Sequence, residues 1–227
     1  MKKIGILLSG CGVYDGAEIQ ESLFSMLAIE EIGAEVVSIS INENQHHVIN
    51  HLTGEEMAES RNMLVESARI ARGNVIELNS LSVDDIDGLV IPGGFGSAKN
   101  FTNWAFSGPT GNIHPGVKKI ILDVINSQKP LVALCVSPVV VAKALENSGI
   151  NYNLTIGSNV DPSPYDINGF SDGLVSLGAN TVMKTITEIN VDVENKIITA
   201  PCYMMDATLI EVRNNIQQAI NEMKQFL

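Results

Sequence analysis

Residues 130–138 read PLVALCVSP, and the order of residue types in this stretch decides the fold. Pro130 leads into the apolar run 131–134, with turn formers on both sides. That is the pattern of a strand buried on both faces, as in a parallel sheet. Ser137-Pro138 then reads as a helix start, with Ser137 as N-cap and Pro138 at the first helical position, where its missing N–H is no loss. Only Cys135 and Val136 lie between. A strand that becomes a helix within two residues must turn sharply, and the side chain at the apex is held at the sheet's carboxyl edge, facing the helix N-terminus. Cys135 is therefore expected to be a nucleophile whose sulfur is exposed in a pocket. The helix N-terminus should lower its pKa and a nearby carboxylate should raise it, two opposed effects that leave a modest depression.

The same strand–turn–helix rhythm runs outward from this point. A strand at 3–8 (KIGILL) enters the turn SGCGVYDG and a helix at 17–32, in which Leu23, Met26, Leu27 and Ile29 recur at helical spacing before the stop at Gly33. A strand follows at 35–41. Thr53 opens a T-G-E-E capping box, which predicts a helix running to about Gly73. A short strand at 75–78, a firm one at 88–91 ending in Pro92-Gly93-Gly94, and helices at 115–127 and 138–147 complete the first two thirds. A hairpin (189–193 with 197–199) and a terminal helix (206–226) close the chain. Alternating βα units joined by short turns imply an α/β fold: one domain over residues 1–227, with a doubly wound, mostly parallel sheet, helices on both faces and a C-terminal hairpin.

With 227 residues and a formal charge of −12, the chain does not suit nucleic acid, whose binding rests on Lys and Arg neutralising phosphates. Its apolar runs are too short for a membrane span, and Met1-Lys2-Lys3 does not open a leader, so a cytoplasmic location is expected. Cys11, Cys135 and Cys202 are far apart with no CxxC, which disfavours both a disulfide framework and a zinc site. Neither GCGVYDG nor GGFG fits the dinucleotide G-x-G-x-x-G, so no nicotinamide cofactor is expected, and no metal.

Ligands of such sheets bind at the carboxyl ends of the strands. Three turns converge there: SGCGVYDG, PGGFG and CVSP. Glycines let backbone N–H groups face a ligand, so the Gly94 and Val136 N–H groups are candidates for an oxyanion hole. Glu18 and Glu21 lie one turn apart on one face of the first helix, and either is placed to exchange a proton with the thiol. Cys11 is a secondary candidate on the same edge, whereas Cys202 reads as core. His46, His47 and His51 lie in a polar segment without a matched carboxylate, with His51 a candidate for the pocket wall or a dimer contact. Trp104 and Phe106 read as packing residues with a possible covering role.

The turn GGFG after GLVIP, the elbow LCVSP and the acidic YDGAEIQE resemble the PfpI branch of the class I glutamine amidotransferase-like superfamily. LSGCGVYDGAEIQE, VINHLTGE, RNMLVESARIARG, VIPGGFGSAKN, LTIG and VDVENKIITAPCYM are similar, more narrowly, to the enhancing lycopene biosynthesis protein family (ElbB, or sigma cross-reacting proteins). The resemblance implies a flavodoxin-like, usually dimeric protein with Cys135 as nucleophile. It implies an acidic partner from the first turn, Glu21 ahead of Glu18, and no cofactor. It also implies a small aldehyde substrate, with glyoxal converted to glycolate without glutathione or metal. One departure matters. The last histidine is His114 and Val136 follows Cys135, so a Cys-His-Glu triad is absent and ammonia release from glutamine is excluded. A non-catalytic oxidant sensor or partner-binding protein in isoprenoid metabolism or stress response is the alternative.

Overall fold

The computed structural model describes all 227 residues. Around the elbow, β4 (Gly88–Ile91), β5 (Leu131–Leu134) and β9 (Ile197–Ala200) are buried at every residue, as the uninterrupted apolar runs require of strands covered on both faces. They belong to a seven-stranded sheet in the order β3-β2-β1-β4-β5-β9-β8, completed by β1 (Lys3–Leu7), β2 (Glu35–Ser40), β3 (Ile76–Glu77) and β8 (Asn190–Asp192). All neighbours run parallel except β8 against β9, so the expected C-terminal hairpin is an antiparallel edge on a parallel sheet. The helices pack in pairs, α1 (Ile19–Glu31) on α7 (Leu209–Met223) and α4 (Pro115–Asn126) on α5 (Pro138–Leu145). Together with the sheet they bury one apolar cluster of 53 residues. This is the doubly wound, flavodoxin-like α/β architecture.

The hairpin turn is built around Asp192. Its carboxylate is 2% exposed and accepts the Asn195 N–H at 3.0 Å, the Asn195 amide at 2.9 Å and the Asn153 N–H at 2.8 Å. Burial of a carboxylate is tolerable only with such a full set of donors.

Two expectations fail. No helix begins at Thr53: residues 42–61 form a loop, Gly54 takes φ +77° and donates its N–H to Asn50 O in a tight turn, and Ile49 bridges to Glu56. The helix there is α2 (Met63–Ile70), capped by Asn62, which accepts the Val65 N–H. The left-handed glycine breaks the helical path that the capping box implied. Ser137 in turn occupies the N-cap position of α5 without capping it. Its hydroxyl donates to Pro92 O and bonds Ser97 Oγ at 3.0 Å, tying the elbow to the neighbouring turn.

The sequence also hid a second, two-stranded parallel sheet, β6 (Tyr152–Leu154) with β7 (Ala179–Thr181), linked by α6 (Ile167–Ser176). This insertion stands over the carboxyl edge of the main sheet through Phe170, which stacks on Trp104 at 6.4 Å between ring centres, and Tyr165, which meets Phe95 edge-on at 6.0 Å.

Candidate active site

Cys135 follows β5 directly and takes φ +56°, a left-handed conformation that costs a non-glycine residue of order 1–3 kcal/mol. Packing holds it there. Its N–H donates to Ala200 O of β9 at 2.9 Å, and Pro138 starts α5 three residues on. The bend swings the sulfur toward the N–H groups of Gly94 and Val136, whose dipoles favour the thiolate.

Glu21 lies across from the sulfur on the first turn of α1 and is fully buried. Its Oε2 accepts the Gly93 N–H at 2.8 Å, its Oε1 accepts the Tyr203 N–H at 3.3 Å, and the carboxyl faces the Cys135 thiol closely enough for each group to shift the other's titration. Glu18 is the N-cap of α1, accepting the Glu21 N–H on Oε2 at 2.6 Å, and lines the pocket over the sulfur, whereas Glu21 lies buried behind it. Glu21, of the two acidic candidates, is the one that contacts Cys135.

The glycine pair is dictated by this crowding. A Cβ on Gly93 would collide with Cys135 Cβ and Glu21 Oε2; Gly94 takes φ +93° and has the backbone of residues 16–18 against it.

Burial sets the charges. The carboxyl of Glu21 is pushed up from 4.5 to about 8, first by desolvation and then by the neighbouring Glu18, against the pull of the Tyr203 and Gly93 N–H groups. Glu18 is raised as well, chiefly by burial. The Cys135 thiol is pushed well above its ordinary value by desolvation and by Glu21, outweighing the Gly94 and Val136 donors. The modest depression expected from the helix N-terminus is thus reversed. Cys135 is only 7% exposed, so its sulfur is not the open one that the elbow suggested.

The space over the sulfur is a cavity of about 20 Å³, room for little more than one water. Val13, Phe95, Phe170 and Met204 wall it, with Tyr165 and Tyr203 as its two phenols. Val13 and Phe95 come from the turns SGCGVYDG and PGGFG and Phe170 from α6, whereas Tyr165, Tyr203 and Met204 arrive from segments without helical or strand periodicity and carry no recognisable signal in the sequence. No histidine lines it.

The lesser candidates fall elsewhere. Cys11 is half-buried near Glu66, Arg69 and Asp15 and does not line the cavity; Cys202 is fully buried core. His51 is not without a carboxylate, since its Nε2 lies 3.8 Å from Asp15 and accepts the Tyr14 N–H at 3.2 Å, but it lies off the pocket wall. His46 and His47 pack on Phe106, and Trp104, which opens the short helix α3 (Trp104–Ser107), is buried against Phe170. No three His, Cys, Asp or Glu side chains gather where they would hold a metal ion, and no helix is long and apolar enough to cross a membrane.

No family model matches the chain. Full-length relatives do. The chain is 36% identical over 218 residues to the rat ES1 protein homolog, mitochondrial, covering 94% of this chain and 80% of the relative. It is 35% identical over 218 residues to the human glutamine amidotransferase-like class 1 domain-containing protein 3, mitochondrial, covering 94% and 79%. Both are named as mitochondrial, which overturns the cytoplasmic location expected from composition. The crystal structure of an isoprenoid biosynthesis protein with an amidotransferase-like domain from Ehrlichia chaffeensis matches with TM-score 0.88 and 34% identity over 99% of this chain and 100% of that one. A glyoxalase III from Candida albicans shares the fold alone, at TM-score 0.59 and 13% identity over 97% of each chain. On the strength of these relatives, the chain belongs to the ES1 family of glutamine amidotransferase-like class 1 proteins.

Proposed function

We propose that the protein is a cofactor-independent, glyoxalase-like enzyme of the ElbB type within the PfpI branch, which hydrates a small dicarbonyl such as glyoxal to the 2-hydroxy acid. The observation that carries this reading is the buried Glu21 carboxyl facing the Cys135 thiol, the two packed so close about Gly93 that no Cβ fits between them. With no histidine at hand, the pair must move every proton itself. Glu21 takes the thiol proton as the sulfur adds to one aldehyde carbon, and the alkoxide forms against the Gly94 and Val136 N–H groups. The adduct takes up a proton and becomes a hemithioacetal, which leaves Glu21 free as base. Glu21 then removes the hydrogen from the attacked carbon, giving an enediol, and returns it to the neighbouring carbon. The result is a thioester of glycolate, which water cleaves to glycolate and free thiol. Glyoxal plus one water balances glycolic acid. A cavity of about 20 Å³ speaks against a substrate as large as glutamine or a peptide.

The same reading carries a homodimer. Ile19, Leu23 and Leu27 recur every fourth residue on α1 and stay 48%, 57% and 42% exposed, an apolar stripe suited to a second copy. The tight cavity also favours a second reading, a partner-binding or oxidant-sensing protein whose pocket is idle. Steady-state assays with glyoxal and methylglyoxal decide between them. Turnover lost in Cys135→Ser supports the enzyme; a purified protein inert toward both, or an equally active Cys135→Ser, supports the second.

A further inference from the structure

In the pocket wall the side-chain oxygens and sulfur are those of Glu18, Cys135, Tyr165, Tyr203 and Met204. Glu18 accepts the Glu21 N–H, the Cys135 thiol faces the Glu21 carboxyl, and the Tyr203 hydroxyl bonds Gln20. Tyr165 differs. Its hydroxyl has no hydrogen-bond partner in the protein, although its backbone is firmly held: its N–H donates to Ser163 Oγ at 3.0 Å, its carbonyl accepts the Ile167 N–H at 3.0 Å, and Ser163 Oγ donates to Met204 O at 2.7 Å. The Asp206 N–H donates to Pro162 O at 2.9 Å, and the edge contact with Phe95 fixes the ring. A rigidly mounted, half-buried phenol with no partner in the protein, in a wall otherwise largely apolar, offers a donor that a ligand oxygen can take over from water.

We propose that Tyr165 is a further catalytic residue, donating its hydroxyl to the second oxygen of a 1,2-dicarbonyl, the one that Cys135 does not attack. The proposal rests on the glyoxalase-like reading above. When Glu21 removes the hydrogen from the attacked carbon, the electron pair moves through the new C=C bond onto that second oxygen. An enediolate there needs a donor, and the Gly94 and Val136 N–H groups are already engaged at the first oxygen. Tyr165 is suited because it stays protonated. Burial, together with the charges of Cys135 and Glu21, pushes its pKa up to about 12, so it donates a hydrogen bond without giving up its proton. The site thereby distinguishes a dicarbonyl from a simple aldehyde, which has no oxygen to place there.

The test is Tyr165→Phe in the full chain, read three ways: kcat for glyoxal, the kinetic isotope effect with dideuterated glyoxal, and the rate of Cys135 alkylation by iodoacetamide. Loss of one such donor should lower kcat about 100-fold and enlarge the isotope effect, because hydrogen removal becomes slower than the other steps. Alkylation should stay within about twofold of wild type, since the elbow and its N–H donors are untouched. A kcat within about threefold of wild type overturns the proposal, as does alkylation falling in step with kcat, which marks a distorted site. Cys135→Ser separates the two readings. If wild type turns over, Cys135→Ser does not and Tyr165→Phe does, the Tyr165 assignment alone falls. If wild type has no turnover, both fall.

Discussion

Replacing Glu21 by glutamine should change how stability depends on pH, and by an amount set by the site. The folded carboxyl titrates near 8, against an ordinary value of 4.5, because it is fully buried beside Glu18. The folded pKa lies above the unfolded one, so the native state keeps a proton that the unfolded chain releases from about 4.5 upward. Stability from this group is complete below that pH and is lost as pH rises toward 8. At about 1.4 kcal/mol per tenfold change in proton affinity, the gap between 4.5 and about 8 is worth about 5 kcal/mol. Most of it falls between pH 5 and 8. Glu21→Gln removes this slope but adds a constant penalty of about 1–3 kcal/mol, because an amide NH₂ must face one of the two backbone donors, Gly93 or Tyr203 N–H. Urea unfolding of both proteins at several pH values between 5 and 8.5 reads the difference directly. The variant should start less stable and overtake wild type as pH rises, a swing equivalent to about 10–20 °C in melting temperature for a chain of this size. Parallel stability curves across that range would falsify the buried-carboxyl account.

Other outcomes follow from the same geometry. Cys135→Ser should abolish dicarbonyl turnover, and Glu21→Gln should slow it about 100-fold or more, as loss of an acid–base group does, both measured by glycolate formation. The kcat/KM of wild type should climb with pH along a limb near 8, since the Cys135–Glu21 pair must lose its first proton to react; a flat profile from 6 to 9 refutes the shared-proton mechanism. Gly93→Ala should eliminate activity and slow Cys135 alkylation, because the added methyl occupies the space between thiol and carboxyl. Leu23→Asp on the exposed α1 stripe should leave the protein monomeric in sedimentation equilibrium where wild type is a dimer; equal mass for both removes that face from the interface.

The parallel sheet was readable because its signals are local and sharp. Residues 131–134 are apolar without a break, Ser137-Pro138 fixes where the helix begins, and Asn195 sits where a hairpin must turn. The elbow with its glycine pair and acidic helix start could be assembled from those same signals. What failed depended on distant packing. The Thr53 capping box obeys every local rule for a helix start, yet the chain turns on a left-handed Gly54 before a helix can form. The direction of the thiol pKa differs from the sequence reading because a helix N-terminus is visible in sequence and burial is not: Tyr165 and Met204 close the site from irregular segments, and Phe170 from a helix whose place over the elbow only the folded chain shows. Tyr203, whose N–H holds Glu21, lies in a short 3₁₀ turn after β9 that only the folded sheet brings near residue 21.

That last pairing joins residues 182 positions apart, and it bears on biogenesis. Glu21 is made well before Tyr203 and β9, whose Ala200 carbonyl anchors the elbow. Contacts of such long sequence separation form late, since the entropy of closing so large a loop is met before any reward returns. A growing chain can raise β1, β2, β4 and β5 while the edge of β5 lies unpaired and the cysteine at its end has neither its carbonyl anchor nor its apolar cover. In that interval the thiol is an ordinary, accessible one, open to alkylation or oxidation that the folded protein resists, so the site acquires its distinctive chemistry only once β9 and Tyr203 have been made and have docked.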